Sequence, residues 1–133
     1  MKRYRDRIRD VDGGRDRDRG RDRGQVALEY IGFVPILLFV ALCGIQLGWA
    51  GYVHQQAETA ARTAARVEAR NPGAGSAAGT AAISSGLDPT VHVASNSDAV
   101  TVKVSIPIKS IVPGFSIDPA TATAVMPNDD PKG

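Results

Sequence analysis

The sequence has a single cysteine, Cys43, so the chain cannot close an internal disulfide and no cysteine-based metal site can form. Its two histidines, His54 and His92, stand far apart in sequence and in no metal-ligand spacing, which marks them as solvated or interfacial side chains. No metal and no cofactor is expected. Ser84, Ser85 and Ser105 have no base placed to activate them, no glycine-rich phosphate loop occurs, and no acid and base form a pair. This is the sequence of a non-enzymatic protein. Positive charge is also missing from most of the chain. Residues 1–24 hold ten Lys/Arg against six Asp, a net of +4, whereas residues 25–133 hold six Lys/Arg against eight Asp/Glu, a net of −2. The basicity belongs to a short tail in which Arg alternates with Asp and cancels most of its own field, so nucleic acid is not an expected partner.

The most informative absence is that of charge between Ile31 and Val53 (IGFVPILLFVALCGIQLGWAGYV). Twenty-three residues of helix measure roughly 34 Å, enough to cross a ~30 Å hydrocarbon core. A single segment in lipid must satisfy its own backbone, which leaves helix as the solution. Tyr30 at the near end, with Trp49 and Tyr52 at the far end, supply the aromatic belt of the two interfaces. Arg19, Arg21 and Arg23 crowd the N-terminal flank, and the C-terminal flank has no cation before Arg62. The positive-inside rule then expects a single-pass plasma-membrane protein, N-terminus cytoplasmic and C-terminus extracytoplasmic. A secretory signal peptide would have a shorter apolar run ending in a small-residue cleavage site; here the run continues into HQQAETAARTAARVEAR, a helical pattern. In that extension Ala57, Ala60, Ala61, Ala64 and Ala65 form a small-residue stripe at spacings of three and four, Glu58 and Arg62 form an i,i+4 pair, and Asn71-Pro72-Gly73 stops the helix. Pro35 is expected to kink it.

These signals divide the chain into a disordered Arg/Asp-rich cytoplasmic leader (1–24), a transmembrane and extension helix (25–71), a linker with a short helix over 76–85 (72–90), a small extracytoplasmic β domain (91–126) and a polar tail (127–133). The leader has too little apolar content to offset the entropy of ordering. In the β domain a strand starts at Val91-His92-Val93. Asn96-Ser97-Asp98 is a turn, and Val100, Val102, Val104 and Ile106 alternate with Thr101, Lys103 and Ser105 as a half-buried strand. After a second turn at Pro113-Gly114, Thr121, Thr123 and Val125 alternate with Ala120, Ala122 and Ala124. The expected fold class is α+β: a long kinked helix, a short helix and a three-stranded antiparallel meander, near the lower size limit of a stable domain.

Two further features bear on function. Gly44 and Gly48 form a GxxxG, extended by Ala41 and Gly51, the kind of stripe that lets membrane helices approach closely in a homo- or hetero-oligomer. Cys43 lies mid-span, where packing suits it better than lipidation. The second feature is Gly24-Gln25-Val26-Ala27-Leu28-Glu29-Tyr30, which places one carboxylate at the edge of an otherwise charge-free segment. An ionisable residue there is costly and needs a reason. Taken alone, Glu29 reads equally as an interfacial residue among the headgroups.

A glycine, four residues, then Glu-Tyr at the head of a long apolar run resembles the processing site of type IV prepilins. The Glu-Tyr pair is the form of the tight-adherence (Flp) subfamily. The whole arrangement, including the alanine-rich extension and the small β-rich tail, resembles the TadE-like minor pseudopilins. The likeness is in motif over residues 24–53 and architectural elsewhere within residues 20–126. It implies that a membrane-embedded prepilin peptidase cuts after Gly24, that Gln25 becomes the new N-terminus, and that Glu29 meets the freed amine of a neighbouring subunit, with Tyr30 beside it. It implies as partners the peptidase, other pilin-like subunits and an assembly platform. The long Arg/Asp leader departs from the family pattern. An uncleaved single-pass anchor that presents a small binding module stays open as the alternative.

Overall fold

The computed structural model describes residues 9–128, with side chains from Arg23 onward. The start of the leader and most of the polar tail, residues 129–133, therefore lie outside the described residues. The chain forms two compact units, Met1–Ala41 and Leu42–Gly133. The first consists, where described, of the beginning of helix α1, Arg9–Arg70. The second holds the remainder of α1, a short helix α2 (Gly75–Ala81), and strands β1 (Thr90–Ser95), β2 (Ala99–Ile106) and β3 (Ala120–Pro127).

α1 starts earlier than expected. Composition reads residues 1–24 as disordered and the helix as starting near Gln25, yet the backbone is helical from Arg9. The composition argument weighs burial and leaves out the extension of a helix already formed. Nucleation is the costly step in helix formation, and adding turns to a helix already set by an apolar segment is cheap. Through Pro35 the helix is continuous.

In the second unit the three strands form one antiparallel sheet in the order β1-β2-β3. Val91 faces Val104 across the first pair, and Val104 faces Ala122 across the second. The Asn96-Ser97-Asp98 turn is closed by the Asn96 N–H donating to the Ala99 carbonyl at 2.9 Å. The alternation in β2 is the one read from sequence: Val100, Val102, Val104 and Ile106 are fully buried and Lys103 is exposed. In β3 the alanines turn inward, while Thr121, Thr123 and Val125 face out.

The partner of this sheet is the alanine stripe of α1. Ala57, Ala60, Ala61, Ala64 and Ala65 are all buried, together with Val53 and Ala69, against the valines of β2, Ile108 and Ala120. Small residues on helix and strand alike let the two backbones approach closely, and the branched residues of β2 fill the gap. Each fully buried Val or Ile there contributes about 1.5–3 kcal/mol relative to an exposed one. The Glu58–Arg62 pair forms at 3.6 Å on the outer face, where an exposed i,i+4 pair adds about 0.3–0.5 kcal/mol.

α2 spans Gly75–Ala81, shorter than the expected 76–85. Its glycines are where it touches α1. A Cβ on Gly75 would stand 2.7 Å from the Glu68 carboxylate and 2.8 Å from the Ala64 carbonyl, and one on Gly79 would stand 3.0 Å from the Ala64 Cβ. The two glycines and the alanines opposite form a contact too close for larger side chains. Between the helices, Asn71-Pro72-Gly73 makes the turn, with Gly73 at φ +91, a left-handed conformation that favours glycine. The buried Glu68 closes it: Oε1 accepts from the Gly73 N–H and Oε2 from the Gly75 N–H, both at 2.8 Å.

Candidate processing and membrane-packing site

The residues singled out by sequence all lie on α1, and they fall into two groups. Gly24, Gln25, Glu29 and Tyr30 belong to the first unit, where every described side chain is exposed. Leu28 is 72% and Ile31 71% exposed, and Phe33, Val34, Ile36, Leu37, Leu38, Phe39 and Val40 form a continuous bare apolar surface after them. α1 thus holds the one candidate membrane span among the described residues, a segment long and apolar enough to cross a bilayer and wholly uncovered by the rest of the chain. A helix apolar on all sides with nothing packed on it is the form expected of a span in lipid.

Glu29 stands at the head of this surface. Val26 lies one turn before it and Phe33 one turn after, and these three border a shallow groove with Tyr30, Gly32 and Ile36. Among the described residues Glu29 makes no ion pair and no hydrogen bond. The carboxylate is available to a cation from outside the chain. The Gly24–Gln25 peptide bond, by contrast, lies inside the helix. Glycine is disfavoured within a helix by about 1 kcal/mol relative to alanine, which makes Gly24 a cheap place to unwind it.

The packing residues are equally open. Ala41, Gly44, Gly48 and Gly51 are exposed, and a Cβ at any of the three glycines would meet nothing within 4 Å. Among the described residues nothing packs on the three glycines of this stripe. Cys43 is half-buried, and His54 and His92 are exposed. Among the described residues no three metal-ligating side chains cluster.

Sequence reasoning missed where the second unit begins to cover α1. The charge-free run ends at Val53, but Val53 is fully buried in the core and Gln46 is 5% exposed. The Gln46 Oε1 accepts from the Ile111 N–H at 2.6 Å, and its Nε2 lies 3.5 Å from the Lys109 carbonyl. The amide inside the apolar run is a docking point for the loop between β2 and β3. Residues 46–53 therefore serve the sheet domain on one face, Cys43 is already half-buried, and the stretch exposed all round is residues 25–42. Its 18 residues measure about 27 Å as helix, within reach of the ~30 Å hydrocarbon core. Trp49 and Tyr52, with ring centroids 5.6 Å apart, follow beyond this stretch, and the Tyr52 hydroxyl is 2.7 Å from the Ser84 Oγ.

Comparison with known proteins bears on the same segment. Residues 24–66 match the model of a family described as TadE-like protein. No curated protein and no solved structure matches the chain. The match begins at Gly24, takes in Glu29, Tyr30, the apolar stretch and the alanine stripe through Ala65, and leaves the sheet outside it.

Proposed function

We propose that this chain, which carries a TadE-like segment over residues 24–66, is a minor pilin-like structural and assembly subunit of a tight-adherence type pilus or secretion system. A prepilin peptidase cuts it after Gly24. The protein is single-pass, with the arginine leader cytoplasmic before cleavage and the sheet domain outside, and it carries no enzymatic activity of its own. The observation that carries the reading is the register of Gly24, Glu29 and Tyr30 at the head of an uncovered apolar helix, with the family match starting at Gly24 itself.

The physical account is direct. A carboxylate at the edge of lipid with apolar neighbours on both sides is a stored cost. After cleavage, the new ammonium of Gln25 on a neighbouring subunit supplies the missing opposite charge. Attraction between the two is strong in a low dielectric, and pairing offsets the desolvation of both. The uncovered stripe of Ala41, Gly44, Gly48 and Gly51 gives neighbouring helices a face for close approach. The arginines of the leader set orientation during insertion and are then dispensable.

One observation favours the uncleaved anchor: α1 runs unbroken through Gly24, whereas a protease needs an extended backbone at the bond it cuts. The two readings separate in cells that carry the peptidase. Processing predicts that the wild type loses its leader and that Gly24→Ala and Glu29→Ala accumulate unprocessed or fail to assemble. The anchor reading predicts the same full-length mass for all three, and that result would remove the pilin-like assignment.

A further inference from the structure

The loop between β2 and β3 has a composition that neither the fold nor the pilin-like reading uses. Ser110 to Ile117 (SIVPGFSI) contains no charge, and Lys109 and Asp118 flank it. The loop is held at both ends and displayed in the middle. Ile108 is buried in the core and Ile117 packs against it. Between them Ile111 is 48% and Phe115 69% exposed. The display is a tight turn: Val112 to Phe115 are closed by the Phe115 N–H donating to the Val112 carbonyl at 3.3 Å, with Pro113 second and Gly114 third at φ +80. That is the residue order of a type II turn. The Ser110 hydroxyl also donates to the Val112 carbonyl, at 2.9 Å.

Position decides what this display is for. The Ile111 N–H is bonded to Gln46, so the loop is pinned to α1 at the level of Gln46. Trp49 lies three residues further from the span, about 4.5 Å along the helix axis. With Trp49 at the headgroups, the loop sits on the lipid side of the aromatic belt. Ile45 and Leu47, on either side of Gln46, are 59% and 74% exposed, so the helix is bare and apolar at the level where the loop is pinned.

We infer that the β2–β3 loop is a membrane-interface element that lays Ile111 and Phe115 into the acyl boundary of the phospholipid leaflet from which α1 emerges. The inference rests on α1 being a span. Lys109 then reaches the headgroups beside its apolar neighbours, as a long cationic side chain at an interface does. A second copy of the chain is the poorer occupant, because two side chains fall far short of the ~800 Å² per partner of a stable interface. The consequence is orientational: a second contact with the bilayer besides the helix restricts the tilt of the sheet domain relative to the membrane.

The test uses the full chain in phosphatidylcholine vesicles with or without brominated acyl chains, which quench tryptophan on contact. In a Trp49→Phe background, single reporters are placed by Phe115→Trp, Ile111→Trp, Val125→Trp and Leu37→Trp. Phe115 and Ile111 are exposed, so neither substitution disturbs packing, and each checks the other. The expected result is loss of most emission from the reporters at 115, 111 and 37 in brominated vesicles, with the reporter at 125 unaffected. Quenching at 37 without quenching at 111 and 115 overturns the loop assignment and leaves the span intact. Blue-shifted emission at 115 that ignores brominated lipid overturns it in favour of a second copy. Absence of quenching at 37 overturns the span and the loop together.

Discussion

Glu68→Gln tests how α2 is tied to the end of α1. The Glu68 carboxylate is buried and accepts two backbone N–H groups, one on each oxygen, at 2.8 Å. Those bonds hold the turn after α1 and the first residue of α2. Glutamine has nearly the same shape but presents one oxygen and one NH2 group. Whichever way the amide is turned, one donor bond survives, now to a neutral acceptor, and the other N–H faces a donor. The loss is one charge-assisted bond, about 1.5–3 kcal/mol, and the stranded amide adds about 1–3 kcal/mol when it stays dry. Relaxation of the turn towards water returns part of this, which leaves a net destabilisation of about 2–4 kcal/mol. Since 1.4 kcal/mol is a factor of ten, the amides of Gly73 and Gly75 should exchange their hydrogens more than about tenfold faster in the variant. Amides in the middle of β2 should change less. Hydrogen exchange resolved by residue on the full chain in lipid or detergent reads this directly. Equal exchange at Gly73 and Gly75 in the two proteins would refute the assignment of Glu68 as the tie.

Other perturbations read other contacts. Gly79→Ala should be close to neutral, because a gain in helix propensity of about 1 kcal/mol offsets a 3.0 Å approach to the Ala64 Cβ; Gly79→Leu should cost about 1–3 kcal/mol by overpacking, measured by urea unfolding of the sheet domain. Gly75→Ala should destabilise even at that small size, since its Cβ would meet a backbone carbonyl at 2.8 Å. Ile106→Ala should cost about 2–5 kcal/mol in the same assay, Ile106 being the largest fully buried side chain of the core. Gln46→Leu should speed exchange at the Ile111 amide while leaving β2 unchanged, because it removes the 2.6 Å bond without opening the core.

The fold was legible where one residue's environment is set by its neighbours in sequence. The alternation of Val100, Val102, Val104 and Ile106 fixed the buried face of β2, and the spacing of Ala57 to Ala65 fixed the face of α1 that meets it. It was less legible where the partner is remote. Gln46 reads as a tolerated amide in an apolar run until the loop 65 positions away is seen to need an acceptor. Gly75 and Gly79 read as residues that weaken a short helix, and they turn out to be the reason it fits against Ala60 and Ala64. Glu68 left a signal that was readable: a carboxylate in the last turn of a helix opposes the dipole and so calls for a local donor. The start of α1 at Arg9 was not legible from composition, because composition weighs burial and not the extension of a helix already formed. The register of Gly24, Glu29 and Tyr30 was legible as a motif; the chemistry proposed for it is directed at other molecules, and among the described residues Glu29 makes no ion pair.

The central claim is that the leader is removed at Gly24 and Glu29 is thereby placed near a new amine. The N-terminal residue of the protein isolated from the membranes of its own cells tests this most directly. The account predicts a mature chain that begins at Gln25. A membrane form that begins at Met1 would contradict it, and the chain would then be an uncleaved anchor with an unexplained carboxylate at the head of its span.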